Sequence, residues 1–330
     1  MKYKDRIYGE VQIDEPVVLG LINSPSMQRL KGVDQHGHYQ AYFPHEDVSR
    51  FDHSVGVFIL LKKFGAPLLE QIAGLLHDVS HTAFSHVADY VFHDGSGEYK
   101  NFQDEEFEGF IEKSEIPQIL NKYGVNYKDI LDDSKFLLKE RDLPDLCADR
   151  IDYFLRDAFV FGKAPKKKID ELLGSLAIIN DFWVFKNQKQ AKEYADLFLE
   201  INNVCWSGLE SGTMLKNMGE LIKYCMGKNI LKKEDLFLTD EEVWRKIMSE
   251  AGKDKHLKLL LDRADNKYRY EIVDEKDHDM LSINKSRAVD PLFLKDGKLI
   301  RLTEADKKYK ELQEKYSKPK RYYIKFLELR

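Results

Sequence analysis

The spacing of apolar residues along the chain predicts a mainly helical protein. Between about residues 49 and 92 the apolar positions recur at intervals of three and four. The stretch "SVGVFILLKKF" is apolar enough for a core helix, and "APLLEQIAGLLHDV" follows it. In the second stretch the apolar positions share one helical face: Leu68, Ile72, Leu75, Leu76 and Val79. We therefore expect this region to supply helices to the core.

Two later stretches predict further long helices. The segment "DLPDLCADRIDYFLRDAFVFG" has Pro144 near its start and Gly162 at its end, which are favoured places for these residues. The segment "QAKEYADLFLEINNVCWSGL" has similar periodicity.

Strand-like segments lie near both ends of the chain. "RIYGEVQI" precedes the helical region, and "YRYEIV", "KLIRLT" and "RYYIKFL" follow residue 228. The pattern predicts a mainly α fold, with a helical core and short N-terminal strands over residues 1–228. Residues 229–330 are expected to form a smaller α+β C-terminal region, to which no role is assigned.

Composition and charge exclude several classes of protein. The chain has 330 residues, of which 43% are hydrophobic and 33% charged. It has no apolar run of about 18 residues, so no membrane partner is expected. Three cysteines form no CxxC pair, and the start lacks an apolar leader, so we expect a cytoplasmic protein. A net charge of −5 disfavours nucleic acid as the main partner.

Residues 77–86, "HDVSHTAFSH", contain three of the ten histidines in the chain. On a helix, adjacent His77 and Asp78 can reach one ion, and His81 lies on the same face one turn later. Imidazole and carboxylate together suit a divalent transition metal such as Mn, Fe, Ni, Co or Zn, with Mg as a further candidate. The remaining ligands must come from elsewhere in the chain. His53 and the acids of "CADRIDYFLRD" are the candidates.

Asp149 and Asp152 stand on a mainly apolar helix. A buried acid is costly unless it is paired or bound to a metal. Each could instead pair with Arg150 or Arg156, and neither acid alone decides between the two interpretations. Together with the histidines, they favour a metal site.

The order His53, His77-Asp78, Asp149 resembles the H…HD…D signature of the HD superfamily of metal-dependent phosphohydrolases. The likeness extends to "IYGEV", "SPSMQRLKGVDQHG", "YFPHEDVSRFDHSVGV", "AGLLHDVSHTAFSHV" and "DRIDYFLRDA". These segments are similar in order and spacing to the deoxynucleoside-triphosphate triphosphohydrolase branch. The likeness covers about residues 5–160 and weakens towards residue 225.

This resemblance implies an HD-domain helical core and a set of site residues. The implied metal ligands are His53, His77, Asp78 and Asp149. Asp149 takes the ligand position rather than Asp152, because the family places the ligand three residues before its "DY" pair. Alongside Asp78, His81 would act as the general acid or base and His86 as a second active-site histidine. The implied substrate contacts are Arg50 to phosphate, Gln35 to the sugar, and Arg150, Tyr153 and Asp157 along the remaining wall. A homo-oligomer is also implied.

The chain departs from the family pattern on a later helix. Asn202 stands where an arginine is expected, Glu210 where a tyrosine is expected, and Thr213 near an expected lysine. The pocket would then lack charge needed by a triphosphate of about −4. Glu210 could instead bind a hydroxyl or amine of the substrate.

Several functions therefore remain open. The most specific is a deoxynucleoside triphosphate triphosphohydrolase. The alternatives are a phosphomonoesterase acting on a nucleoside monophosphate or another small phosphoester, and an inactive HD-type nucleotide sensor. Intact metal and proton-transfer positions disfavour the sensor. "KAPKKK" and "KPKR" favour a nuclease, and the net charge disfavours it.

Overall fold

A computed structural model describes residues 1–44, 48–93 and 101–330. Residues 45–47, within the segment "YFPHEDVSRFDHSVGV", lie outside the described residues. The predicted fold class, mainly α with short N-terminal strands and small C-terminal sheets, is confirmed. In the described part of the chain, every helix is too short or too polar to cross a bilayer.

Eight helices precede residue 161 in the part of the chain that the structure describes. They are α1 Pro16–Ile22, α2 Pro25–Arg29, α3 Arg50–Lys63, α4 Leu68–Leu76, α5 Val87–Phe92, α6 Phe102–Lys113, α7 Ile116–Lys122 and α8 Ala148–Val160. Seven more follow: α9 Lys166–Gly174, α10 Gln188–Ile201, α11 Leu209–Gly227, α12 Asp240–Met248, α13 Lys255–Ala264, α14 Leu302–Ala305 and α15 Lys307–Tyr316. A π-helical turn, Asn202–Trp206, continues α10.

The strands of the described residues form three small sheets. They are β1 Lys2–Asp5, β2 Gly9–Gln12, β3 Leu176–Ile179, β4 Phe182–Phe185, β5 Tyr268–Ile272, β6 Met280–Asn284, β7 Leu292–Lys295, β8 Lys298–Arg301 and β9 Lys320–Leu329. β1 pairs with β2, and the other two sheets have the orders β3-β4-β7-β8 and β5-β9-β6. The strands expected near residues 268, 298 and 321 are confirmed as β5, β8 and β9.

The hairpin of β3 and β4 was not predicted, although the sequence carries a signal for it. Asn180 and Asp181 connect the strands, both with positive φ, at 51° and 60°. Such a two-residue turn favours Asn and Asp because their side chains tolerate the left-handed region. The flanking "LAII" and "FWVF" are typical strand residues.

Helix α3 is buried on nearly all sides, which explains why its sequence has no polar face. Phe51 and Val55 pack into one hydrophobic cluster with α1 and α4, whereas Val57 and Leu60 pack into a second with α8 and α10. At its start, Ser49 and Asp52 form a reciprocal capping box. The cap and the two cores fix the first turn, which carries Arg50 and His53.

Helix α8 begins at Ala148, four residues later than the position of Pro144 suggested. Before it, the chain is held by backbone hydrogen bonds from Ala148 to Leu138 and from Asp149 to Lys139. Because the helix starts there, Asp149 lies in its first turn.

Residues on both sides of the boundary expected at residue 228 share one sheet and two hydrophobic clusters. Strand β7 pairs in parallel with β4, and Phe293 and Tyr309 belong to the hydrophobic cluster that contains Phe154 of α8. A third cluster joins Met214 and Met218 of α11 to side chains of α12 and α13. The C-terminal region is therefore part of the core that supports the site.

Candidate metal centre and active site

Three of the predicted ligands converge from three separate segments. His53 lies in the first turn of α3, His77 directly follows α4, and Asp149 lies in the first turn of α8. The His53 Nε2 atom is 2.9 Å from Asp149 Oδ1 and 3.2 Å from His77 Nε2. The third side, from His77 Nε2 to Asp149 Oδ1, measures 3.3 Å. These are donor atoms that suit one transition-metal ion.

Asp78 lies beside the same three groups. Its Oδ1 atom is 3.4 Å from the Nε2 atoms of both His77 and His81, and its Oδ2 atom is 3.7 Å from His53 Nε2. The expectation that His77, Asp78 and His81 occupy one continuous helix is wrong, because α4 ends at Leu76. Turns follow, with backbone bonds from Val79 to Leu76 and from His81 to Asp78. The turns bring the three side chains together around the Asp78 carboxylate.

The far ring nitrogens of both histidines are held by hydrogen bonds. His53 Nδ1 lies 2.8 Å from Asp152 Oδ2, and His77 Nδ1 lies 2.8 Å from the Gly74 carbonyl. When Nδ1 donates to these acceptors, the Nε2 lone pair is free to bind a cation. Asp152 therefore orients His53 and is not itself among the clustered ligand atoms.

Asp152 is held by a buried ion pair. Arg156 donates to both of its oxygens, at 2.9 and 3.1 Å, and also to Asp5 at 3.1 Å. Gly56, one turn after His53, makes this approach possible, because a Cβ atom there would overlap Asp152 and Arg156. The ion pair with Arg156 therefore holds the carboxylate of Asp152 that contacts the candidate ligand His53.

The electrostatics of the cluster favour a bound cation. Burial opposes protonation of His53, but the hydrogen bonds that its ring donates to Asp149 and Asp152 outweigh burial and raise its pKa to about 10. Burial likewise opposes ionisation of Asp149, yet His53 and His77 hold its pKa well below the usual value. Imidazoles that bind protons so readily between carboxylates would also bind a divalent ion. The residues present therefore fit the metal that the sequence implies.

His81 and His86 form a second pair beside Asp78. Burial, reinforced by the charge of Arg50, lowers the pKa of His81 to about 3, so its imidazole is neutral. Its Nε2 atom makes no well-directed hydrogen bond within the described chain. The His86 ring stands perpendicular to it at a centroid distance of 5.2 Å. The unused nitrogen of His81 is available to a reacting group.

A left-handed turn separates these two histidines. Phe84 and Ser85 have φ values of 59° and 53°, which is strained for residues with side chains. The Asp240 carboxylate holds the turn, because it accepts the Phe84 N–H at 2.7 Å and the Asp34 N–H at 2.8 Å. Ser85 Oγ in turn accepts from Arg50 Nε at 2.9 Å. Neither Ser85 nor Asp240 was predicted, since their sequence surroundings carry no recognisable motif.

The remaining predicted substrate contacts fall along one cavity of about 710 Å³, whose lining includes Gln35, Arg50, Arg150, Tyr153 and Asp157. The Gln35 side-chain oxygen is buried without a hydrogen-bond partner among the described residues. One guanidinium nitrogen of Arg150 is used by the Arg141 and Asp145 carbonyls.

Both oxygens of Asp157 are engaged inside the protein. His36 Nε2 lies 2.8 Å from one oxygen, and Trp206 Nε1 donates to the other at 2.7 Å. Asp157 therefore fixes two rings that line the cavity, neither of which was among the predicted site residues. Their signal in the sequence was only that of core or loop residues.

The structure does not bring Glu210 to the other predicted site residues. Glu210 is exposed in the first turn of α11, and the cavity lining does not include it. The expectation that it contacts substrate rested on an alignment that put it where a pocket tyrosine belongs. Asn202 and Thr213 are buried and hydrogen-bonded within the protein, so they too are absent from the lining.

The cavity lining contains more acidic than basic side chains among the described residues. Among the described residues, six cationic side chains line the cavity: Arg50, Lys139, Arg141, Arg150, Lys285 and Arg287. Ten described carboxylates line it: Asp78, Asp89, Asp104, Glu105, Glu108, Asp133, Glu140, Asp142, Asp149 and Asp157. Lys285 and Arg287 come from the region to which the sequence assigned no role.

Comparison with known proteins agrees with this geometry. Residues 50–157 match the model of the HD domain. An uncharacterized protein, YdhJ of Bacillus subtilis, is 36% identical over 339 residues, covering 99% of each chain. The metal-dependent phosphohydrolase cns2 of Cordyceps militaris is 31% identical over 297 residues, covering 87% of this chain and 83% of the relative.

More distant comparisons agree over parts of the chain or in fold alone. The mouse deoxynucleoside triphosphate triphosphohydrolase SAMHD1 is 29% identical over 143 residues, which cover 37% of this chain and 22% of SAMHD1. The crystal structure of a hypothetical protein from Aquifex aeolicus superimposes with a TM-score of 0.74 at 21% identity. That superposition covers 99% of this chain and 96% of the other.

Proposed function

The chain belongs to the HD-domain metal-dependent phosphohydrolases, and we propose that it releases orthophosphate from a nucleoside monophosphate or a phosphoester of similar size. The reaction class follows from family membership. The choice of substrate rests on the charge and shape of the cavity.

His53, His77, Asp78 and Asp149 would hold the divalent cation. When bound, such an ion polarises a phosphoryl oxygen and lowers the pKa of a coordinated water. Asp152 and the Gly74 carbonyl keep the two imidazoles in the tautomer that this role requires. The ligand set suits Mn, Fe, Co, Ni or Zn, and Mg is a further candidate.

His81 would move the proton. Its imidazole is neutral, its side chain lines the cavity, and its Nε2 atom has no well-directed partner among the described residues. An anionic phosphate bound beside it would raise its pKa towards neutrality, where proton transfer is efficient. His86 stands next to His81 and could donate a hydrogen bond to a phosphate oxygen.

Arg50 would contact the phosphoryl group. Its guanidinium lies within the lining and has planar donors that match phosphate oxygens. Ser85 Oγ and the Gln35 carbonyl accept from two of its nitrogens, so the side chain is fixed in orientation. Such prior orientation strengthens the stabilisation of developing charge.

The observation that carries the monoester proposal is the excess of carboxylates in the lining. Among the described lining residues, ten are acidic and six are Lys or Arg, and two of the acids are the candidate ligands Asp78 and Asp149. A triphosphate brings a charge of about −4 into these surroundings, whereas a monoester brings about −2. The ester therefore meets less repulsion.

The rest of the cavity suits a nucleoside. Its volume of about 710 Å³ is in the usual range of roughly 300–1,000 Å³ for small-molecule sites. Tyr153 and Trp206 line it with rings packed edge to face at 5.2 Å, and a base or sugar can pack against them. The unpartnered Gln35 oxygen could accept from a sugar hydroxyl.

A second candidate is hydrolysis of deoxynucleoside triphosphates to tripolyphosphate. It is favoured by the similarity to SAMHD1 over 37% of this chain. The charge of the lining argues against it. Homo-oligomerisation and a cytoplasmic location stay predictions from the sequence.

The test uses the purified protein loaded with Mn²⁺. Nucleoside monophosphates, sugar phosphates and deoxynucleoside triphosphates are supplied separately, and orthophosphate is distinguished from tripolyphosphate by chromatography. Asp78→Ala should abolish the activity, while Asp142→Asn, a cavity carboxylate outside the ligand cluster, should retain it. Orthophosphate from a monoester supports the proposal. Tripolyphosphate from a deoxynucleoside triphosphate, without monoester hydrolysis, would replace it with the second candidate.

A further inference from the structure

Strand β6 and the residues that follow it present alternate side chains to the core and to the cavity. Ser282, Asn284 and Ser286 are buried, whereas Lys285 and Arg287, between and after them, line the cavity. This is the two-residue period of an extended chain, whose successive side chains point to opposite sides. Lys285 and Arg287 therefore lie on one side, facing the space in which the substrate would bind.

Hydrogen bonds from buried amides fix this segment. Asn284 Nδ2 donates to the Gly208 carbonyl at 2.8 Å. Asn202 Nδ2 donates to Ser286 Oγ at 3.0 Å, and Asn202 Oδ1 accepts the Arg287 N–H at 2.8 Å. Asn202 is the residue found where the family pattern has an arginine. Here it holds the backbone that carries a different arginine into the cavity.

Neither cation is neutralised by an acidic partner. Within the described residues, Arg287 forms no ion pair, and Lys285 has only a 3.5 Å contact with Asn101 Oδ1. A nearby carboxylate, Asp89, already accepts the Phe102 N–H at 2.8 Å and lies 3.5 Å from His86 Nδ1. Asp89 and Asp104 act on Lys285 without a direct ion pair. Two half-buried like charges that lack a directly bonded acid would be stabilised by an anion that contacts both.

In addition to burial, the positive charge of Arg287 lowers the pKa of Lys285 and of the active-site residue His86. Burial lowers the pKa of Lys285, and the neighbouring charge of Arg287 lowers it further. Burial lowers the pKa of His86 as well, and Arg50 and Arg287 add to the effect. The guanidinium of Arg287 thus acts on the same histidine as Arg50 does.

We propose that Lys285 and Arg287 form an anion subsite that binds the phosphate oxygens of the substrate. This inference rests on the proposed function. It adds which residues supply the positive charge that the family pattern expects near Asn202 and Thr213. The family pattern expects cations from the helix that follows Asn202, and this chain supplies them from the segment after β6. With only two such cations, the subsite is matched to one phosphate group.

Inorganic phosphate is the probe, and the Mn²⁺-loaded protein is the sample. The dissociation constant of phosphate is measured by calorimetry for the wild type, Lys285→Ala, Arg287→Ala and the double variant. Each single change should weaken binding about tenfold, and the double change about a hundredfold, because each removes a charge-assisted hydrogen bond. Lys298→Ala removes one charge from the exposed start of β8 and should leave binding unchanged.

The proposal is overturned if the double variant binds phosphate within twofold of the wild type. Bound Mn²⁺ and the thermal unfolding midpoint, measured on each variant, separate loss of the subsite from loss of fold. If an alanine variant unfolds, Arg287→Lys and Lys285→Gln decide in its place. The lysine variant should keep part of the affinity, and the glutamine variant should lose it.

The failure of this subsite can be distinguished from the failure of the proposed function. Phosphate binding that depends on both cations, without hydrolysis of any monoester, would contradict only the proposed substrate. Monoester hydrolysis by the wild type, with phosphate affinity unchanged in the double variant, would contradict only the subsite.

Discussion

Arg50 donates a hydrogen bond of 2.6 Å to Asp78 Oδ2, so the arginine expected at the substrate phosphate contacts a candidate metal ligand. The same guanidinium contacts Ser85 and the carbonyl of Gln35. It therefore links three parts of the site: the ligand cluster, the left-handed turn and the loop before α3. Arg50 is in a position to affect both catalysis and the orientation of Asp78.

Replacing Arg50 by lysine should reduce kcat by about a hundredfold, because lysine cannot keep the planar set of donors that stabilises a transferring phosphoryl group. The measurement is a steady-state assay on the best monoester substrate. Arg141→Lys, another cavity arginine, should stay near the wild-type rate. A kcat for Arg50→Lys within threefold of the wild type would contradict the assignment.

Asp152→Asn should weaken metal affinity by about ten- to a hundredfold, because the amide no longer orients His53 as a carboxylate does. Asp5→Asn is the matched control, since Asp5 shares Arg156 with Asp152 but makes no contact with His53. Both variants should lower the unfolding free energy by roughly 3 kcal/mol by leaving Arg156 underpaired. Metal titration of the two proteins separates the effects. Equal metal affinities in both variants would contradict the role given to Asp152.

Removal of the metal should abolish hydrolysis and lower thermal stability together. A ligand that binds only the folded state stabilises it by about 2.7 kcal/mol at a hundred times its dissociation constant. Treatment with a chelator, followed by Mn²⁺, should lose and then restore both activity and the unfolding midpoint. In Asp149→Asn the added Mn²⁺ should restore neither. An unchanged midpoint after chelation would show that the cluster holds no metal in the folded protein.

Asp240 should make stability decrease as the pH rises from about 4 to about 7. Burial raises the pKa of Asp240 to about 7, against about 3.9 for a free aspartate. Between these values the folded protein holds a proton that the unfolded chain has released, so unfolding is favoured as pH increases. The unfolding midpoint of the wild type, relative to that of Asp240→Asn, should therefore fall across this range.

The control for Asp240 is its neighbour, Glu241→Gln, whose side chain is 83% exposed. Its midpoint should follow the wild type at every pH. Activity gives a second readout, because Asp240→Asn removes a carboxylate that accepts the Phe84 and Asp34 N–H groups. We expect kcat to fall while bound metal is unchanged. A parallel pH dependence of wild type and Asp240→Asn would contradict the pKa assignment.

The structure brings together His53, His77 and Asp149, three of the ligands that the family resemblance implied, and their chemistry is also unusual in the sequence. Carboxylates on an apolar helix, and histidines crowded beside an aspartate, are costly to bury unless they pair with opposite charges or bind a cation. The candidate ligands come from segments whose periodicity also marked them as core, so their convergence could be expected. The helical placement of His77 and His81 was wrong, because the interactions that end α4 at Leu76 involve the turn that follows and cannot be read from the period alone.

The charge of the cavity could not be predicted from the sequence. Lys285 and Arg287 follow Asp149 by 136 and 138 residues, and their position depends on the buried amides of Asn202 and Asn284. These long-range contacts leave no pattern beyond a short alternation in "SINKSRA". For Lys285 and Arg287 the sequence carried no indication that they line the cavity. For Glu210 an alignment placed the residue in the pocket, and the cavity lining does not include it.

Along β6 and the residues after it, even-numbered and odd-numbered positions should tolerate mutation differently. Changes at 282, 284 and 286 disturb buried contacts and would be eliminated through loss of stability. Changes at 285 and 287 alter the cavity while leaving those contacts intact. If Lys285 and Arg287 bind the substrate phosphate as proposed, single substitutions at these positions can change substrate preference while the metal ligands stay in place. The segment is then a favourable target for directed evolution of substrate specificity.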